Sequence, residues 1–229
     1  MRWTFLTGVA LAASLAVASA NASEDRLDSA LGTMKVIGEP LLLEDGRHAG
    51  CQYTFVVLTR DRVYRHGQYL RIAGSVSVIR TSDFVDSPAQ HAVNTMLKLV
   101  VNEVAISSDG RLNLTPSAPS RAYLLGENMQ SHMDRLDEPR NTETPGSVTL
   151  MLDADPTMKI LKEAAKSSHK IAVAFNQRGG NKDITIPIEL DVTDFGLNGE
   201  RTRSDEAERN FARCMGSVFR DIPSARMAE

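Results

Sequence analysis

Ile184-Thr185-Ile186-Pro187-Ile188-Glu189-Leu190-Asp191 alternates strictly between apolar and polar residues. A period of two puts the three isoleucines and Leu190 on one face of an extended chain, so the stretch reads as a half-buried β-strand. Pro187 has no N–H to give to a neighbour, which places this strand at a sheet edge, at least at that residue. Just upstream, Lys170–Asn176 carries Ile171, Val173 and Phe175 on one face, and Gly179-Gly180 turns the chain between the two strands.

The first half follows the same grammar. Residues 33–43 and 51–58 read as strands joined through Glu44-Asp45-Gly46-Arg47, where Gly accepts the positive φ of a tight turn. Residues 60–67 form a charged turn, and Gln68–Arg80 resumes a strand. Residues 95–106 are apolar and rich in β-branched residues, and lead through Ser107-Ser108-Asp109-Gly110 into the short alternating piece 111–114. Residues 121–125 and Ser147–Leu152 add further strands.

Two helices are expected. Asp155 is the candidate cap of the first, with Pro156 as its first residue, where a missing N–H is harmless. Met158, Leu161 and Ala165 then recur at helical spacing. The second spans about residues 204–220, with Asp205 and Glu206 near its positive end. Ala207, Phe211, Cys214, Met215, Val218 and Phe219 make one apolar stripe along it. The sum is a β-rich α+β fold. About seven to nine antiparallel strands form a single-domain sandwich or half-open barrel, with two helices and the C-terminal one packed on the sheet.

Composition limits the function. Of 229 residues, 26 are Lys or Arg and 29 are Asp or Glu, a net charge of −3 that argues against a nucleic-acid partner. Met1–Ala20 has Arg2 at its start, an Ala-rich apolar centre and Ala18-Ser19-Ala20 at its end. That pattern marks a cleaved export signal rather than a membrane span, and no later segment approaches spanning length. The expected organisation is residues 1–20 as signal peptide and 21–229 as one exported domain. Acidic, proline-containing residues at about 127–146 read as a mobile excursion. The Gram-negative periplasm, or secretion, is the expected destination.

In an oxidising space Cys51 and Cys214, the two cysteines of the chain, pair with each other. Their alternatives are buried free thiols or pairing between chains.

Catalytic signatures are sparse. The chain has no Gly-x-Ser-x-Gly, His-Glu-x-x-His, phosphate-binding loop or dinucleotide fingerprint. Ser167-Ser168-His169-Lys170 contains Ser-x-x-Lys, but it falls at a helix end and reads as a solvated terminus. His132 stands near Met129 and Met133, ligand types that suit copper. The same methionines with Leu136 also form a short apolar stripe, and no metal or cofactor is expected. The densest basic stretch is the best binding candidate. Arg60, Arg62, Tyr64, Arg65 and His66 offer forked guanidinium donors and an aromatic ring to an anionic glycan or lipid headgroup. A solvated hairpin turn is the plainer account of the same residues.

The expected function is therefore a non-enzymatic exported protein that binds another envelope protein or an anionic polymer. An envelope hydrolase or transferase with a dispersed active site is the alternative. An inhibitor of an exported enzyme, entering its cleft with an exposed loop, is a third reading.

Overall fold

A computed structural model describes residues 20–43, 45–80, 93–107, 111–131, 140–141, 144–177, 180–196 and 199–218. In chain order the elements are α1 (Ala20–Ser29), β1 (Gly32–Leu42), β2 (His48–Asp61), β3 (Gln68–Arg80), β4 (Val93–Ile106), β5 (Leu112–Pro116), β6 (Ala122–Leu125), β7 (Arg140–Asn141) and β8 (Ser147–Leu152). They continue as α2 (Ala154–Glu163), β9 (Lys170–Asn176), β10 (Asp183–Glu189), β11 (Val192–Phe195), β12 (Arg201–Arg203) and α3 (Glu206–Val218). Residues 1–19, which carry most of the export pattern, lie outside the described residues, as do 132–139 and 142–143 of the expected excursion. Among the described residues no helix is long and apolar enough to cross a membrane.

The fold is the expected β-rich α+β arrangement, with more and shorter strands than the sequence patterns separate. β1 to β4 form an antiparallel meander, and the large sheet runs β1-β2-β3-β4-β8-β7. The far edge of β4 is shared. Its residues Thr95–Val100 pair with β8, and its residues Asn102–Ile106 pair with β5. A second sheet, β10-β9-β6, covers one face of the first, and β11 with β12 forms a small ribbon. β10 is an edge strand, as Pro187 requires; Pro40 likewise sits in β1, at the edge of the large sheet.

Strand alternation builds the core. Cys51, Tyr53, Phe55 and Val57 of β2 meet Val173, Phe175, Ile186 and Ile188 of the second sheet, within one cluster that includes residues of both α2 and α3. No ladder joins β1 to β10, and the two sheets pack as separate layers with no closed barrel. Side chains bridge that seam. The Glu189 amide donates to Thr33 Oγ1 (2.9 Å), and Arg201 donates through Nε to the Thr33 carbonyl (2.8 Å) and through Nη2 to the Leu31 carbonyl (2.5 Å).

α2 differs in detail from its sequence pattern. It starts at Ala154, with Asp153 at the N-cap, so Pro156 falls in the first turn, where backbone N–H groups still lack helical partners. Its buried side is Thr157, Ile160 and Leu161, followed by Ala164, whereas Ala165 is exposed. Residues 157, 160, 161 and 164 form one regular helical stripe, and a π-turn over Ala164–Ser168 follows it. It closes at His169, in the left-handed region at φ 51°, whose amide donates to the Ala164 carbonyl (2.9 Å).

α3 closes the other end. Phe211 stacks on Tyr53 with ring centroids 4.1 Å apart. Ala207, Cys214 and Val218 complete the buried stripe; Phe219 lies outside the described residues. The Cys51–Cys214 disulfide is present, with a Cα–Cα distance of 5.9 Å. The helix lies so close to β1 that a Cβ at Gly38 would stand 1.9 Å from the Ala207 carbonyl oxygen. Only glycine lets the two backbones approach in this way. We expect replacement of both cysteines by serine to remove up to about 5 kcal/mol of stability, the loop-closure value for so long a loop. Denaturant unfolding of the oxidised protein and the double variant measures the difference.

Candidate functional site

The basic turn between β2 and β3 is built from inside. Asp61, fully buried at the end of β2, accepts through Oδ1 from the amides of Val63 (2.9 Å) and Tyr64 (2.8 Å). An aspartate that takes the amides two and three residues on folds the chain into a turn. Its Oδ2 accepts from Gln177 Nε2 (3.2 Å), and Gln177 Oε1 accepts from the Ser117 hydroxyl (2.5 Å). His66 (φ 50°) and Gly67 (φ 96°) are both left-handed and bring the chain back, with the Gly67 amide donating to the Asp61 carbonyl (2.6 Å).

The five residues singled out from the sequence share this turn but not one task. Tyr64 points inward. Its hydroxyl accepts from the Lys182 amide (2.8 Å) and donates to the Lys182 carbonyl, fastening the turn to the chain between β9 and β10. Gly180 lies against the ring so closely that a Cβ there would meet the phenolic oxygen at 2.3 Å. Arg60 lies over the Tyr69 ring at 4.4 Å and donates to Asp28 Oδ1 through Nε (3.1 Å) and Nη2 (2.6 Å). The Tyr69 hydroxyl donates to the same oxygen (2.8 Å), and these bonds hold the Asp28 carboxyl below the usual range. Arg65 pairs with Glu103 at 3.0 Å. That leaves Arg62 and His66, both exposed, on the rim of an open hollow also lined by Asp28, Leu31, Arg60 and Gly67. Among the described residues Arg62 makes no ion pair.

The Ser-x-x-Lys spacing assembles nothing catalytic. The Ser167 hydroxyl donates to the Glu163 carbonyl (3.0 Å), and the Lys170 ammonium pairs with Glu189 (3.3 Å). His132 and Met133 lie outside the described residues. Among those described, no group of three or more His, Cys, Asp or Glu side chains is placed to hold a metal ion.

One polar pair escapes a reading of the sequence. Glu208, buried in α3, accepts from His169 Nδ1 with both carboxylate oxygens at 2.9 Å. The nearest hint in the sequence is an acid beside Ala207 at the margin of an apolar stripe, and nothing there names a histidine on another element as its partner. The bond to Glu208 and its charge, aided by Asp191 and Asp205, raise the His169 pKa above its ordinary value. Burial, with the Glu208 charge behind it, raises the phenol pKa of Tyr53.

No family model, curated protein or solved structure matches the chain. A reading of its function therefore rests on its own residues.

The raised His169 pKa has a definite sign. The pair contributes its full stabilisation below the unfolded histidine value of about 6.5, and that contribution is lost as pH rises through the higher folded value. His169→Gln should flatten the fall in stability across that interval. Denaturant midpoints from about pH 5.5 to 9, with the imidazole titration followed by NMR, check the expectation.

Proposed function

We propose that the chain is an exported, non-enzymatic binding protein that takes an anionic group at the Arg62–His66 corner. The ligand is an anionic envelope polymer, glycan or lipid headgroup, or an acidic segment of another envelope protein. Export is supported by the Met1–Ala20 pattern together with the disulfide, since such bridges persist in oxidising compartments. The observation that carries the binding reading is the inequality among the three arginines. Asp28 and Glu103 neutralise Arg60 and Arg65, so the turn is held stiff while the Arg62 fork stands at the hollow without an acidic partner among the described residues. A turn whose backbone is already fixed loses less chain entropy when its side chain meets an anion than a loose loop does.

Retention on a heparin or lipopolysaccharide matrix in low salt tests this. Arg62→Ala should elute at clearly lower salt than the parent protein. Arg65→Ala, which removes a guanidinium already held by Glu103, should elute close to it. Equal retention of parent protein and Arg62→Ala would remove the proposal.

The export part has its own readout. Protein produced in a Gram-negative host should be recovered from the periplasm with Met1–Ala20 absent from its mass. Its sulfurs should resist alkylation until a reductant is added. A product retaining Met1, or thiols that alkylate at once, contradicts it.

A further inference from the structure

β5 is exposed along its whole length. It lies on β4 beyond the point where β8 ends, and Leu112 and Leu114 are 45% and 48% exposed. Two bonds at the ends of this ladder settle which way its main chain faces. The Ser107 amide donates to the Arg111 carbonyl (2.9 Å), and the Ser117 amide donates to the Val101 carbonyl (2.9 Å). Bonding direction alternates along an antiparallel strand. Residues 111, 113, 115 and 117 therefore turn their backbone groups toward β4, and Leu112, Leu114 and Pro116 turn theirs outward. Among the described residues no strand takes these outward N–H and C=O groups, and beside exposed leucines they form a template for another strand. Pro116, with no N–H to offer, limits that template at one end.

We propose that this edge pairs antiparallel with the same edge of a second copy of the chain, about a two-fold axis at Asn113. What points to a second copy is self-complementarity. In this register Leu112 faces Leu114 of the second copy and Leu114 faces its Leu112, so all four outward groups of the two leucines bond. Each leucine meets a leucine on one face of the joined sheet, and Asn113 meets Asn113 on the other. Thr115 stands opposite Arg111, so no like charges are opposed. Centring the pair on Leu114 instead would set Leu112 against Pro116 and forfeit a donor. A two-fold contact needs one patch that fits itself, and this edge meets that condition. So short a ladder buries less than the roughly 800 Å² per partner of a standard interface, so the dimer is weak, with a dissociation constant on the order of 100 µM. This inference is independent of the anion site.

Analytical ultracentrifugation of the mature protein from about 10 µM to 1 mM, a range that brackets that constant, should show the average mass climbing toward twice the monomer value. Leu114→Pro removes an outward N–H and no bond to β4, so it should abolish the climb while leaving the melting temperature within a few degrees. A second measurement does not depend on that variant folding. Residues opposite each other in a pair without mutual hydrogen bonds stand about 4.5 Å apart at Cα, close enough for a disulfide. Under mild oxidation Asn113→Cys should give at least tenfold more disulfide-linked dimer than Thr115→Cys. Parent protein that stays monomeric to about 1 mM, Leu114→Pro that self-associates like the parent, or equal crosslinking of the two cysteine variants would each overturn the proposal.

Discussion

The contact between α3 and the first two strands organises the molecule. Three unlike interactions coincide there: a covalent bond from Cys214 to Cys51, a ring stack of Phe211 on Tyr53, and a backbone approach that only Gly38 permits. Each fixes a different degree of freedom. The disulfide sets the distance, the stack sets the rotation of the helix, and the glycine sets its depth. With α3 in place the open end of the apolar face is covered, and burial of that face, at roughly 25 cal/mol per Å², is the main stabilising term. Glu208 enters the same contact with a buried charge, which the exposed His169 satisfies from the turn before β9.

The candidate binding corner depends on the same body through polar rather than apolar contacts. Asp61 closes the turn, Gln177 and Ser117 support Asp61, and Tyr64 anchors the turn to the second sheet at Lys182. Buried polar chains of this kind are costly when incomplete and rigid when satisfied. A loop full of arginine and histidine is thereby given one shape, and most of its charge is spent on that shape. What it offers to solvent is narrower than its composition suggests.

The strands and the terminal helix were legible in the sequence because burial imposes a period on them. Ile184, Ile186 and Ile188 alternate, and Ala207, Phe211, Cys214 and Val218 recur by turns. The bridge was legible because the chain holds two cysteines and begins with an export-like segment. Other features escaped for definite reasons. The division of the β4 edge between β8 and β5 is a matter of register between distant segments, and each segment alone is only a short extended run. The α2 stripe runs through Thr157, Ile160, Leu161 and Ala164, a regular spacing that the polar Thr157 hid beside the apolar Met158, Leu161 and Ala165. α1 has little apolar periodicity, with Leu27 packing beside Ala30 at its end. Arg60, Arg62 and Arg65 look equivalent in the sequence. Asp28 and Glu103, which distinguish them, are remote in the chain and next to them in space.

The bridge also orders events in time. Cys51 and Cys214 are separated by 163 residues, so during synthesis Cys51 has no intrachain partner until those 163 residues have been added. At roughly 5–20 residues per second that interval is about 8–33 seconds. Throughout it the early sulfur is an unpaired thiol, and wherever oxidants are present such a thiol can enter mixed disulfides. Intramolecular oxidation is thus coupled to arrival of α3, and a truncated chain ending before residue 214 is left bearing an unmatched thiol.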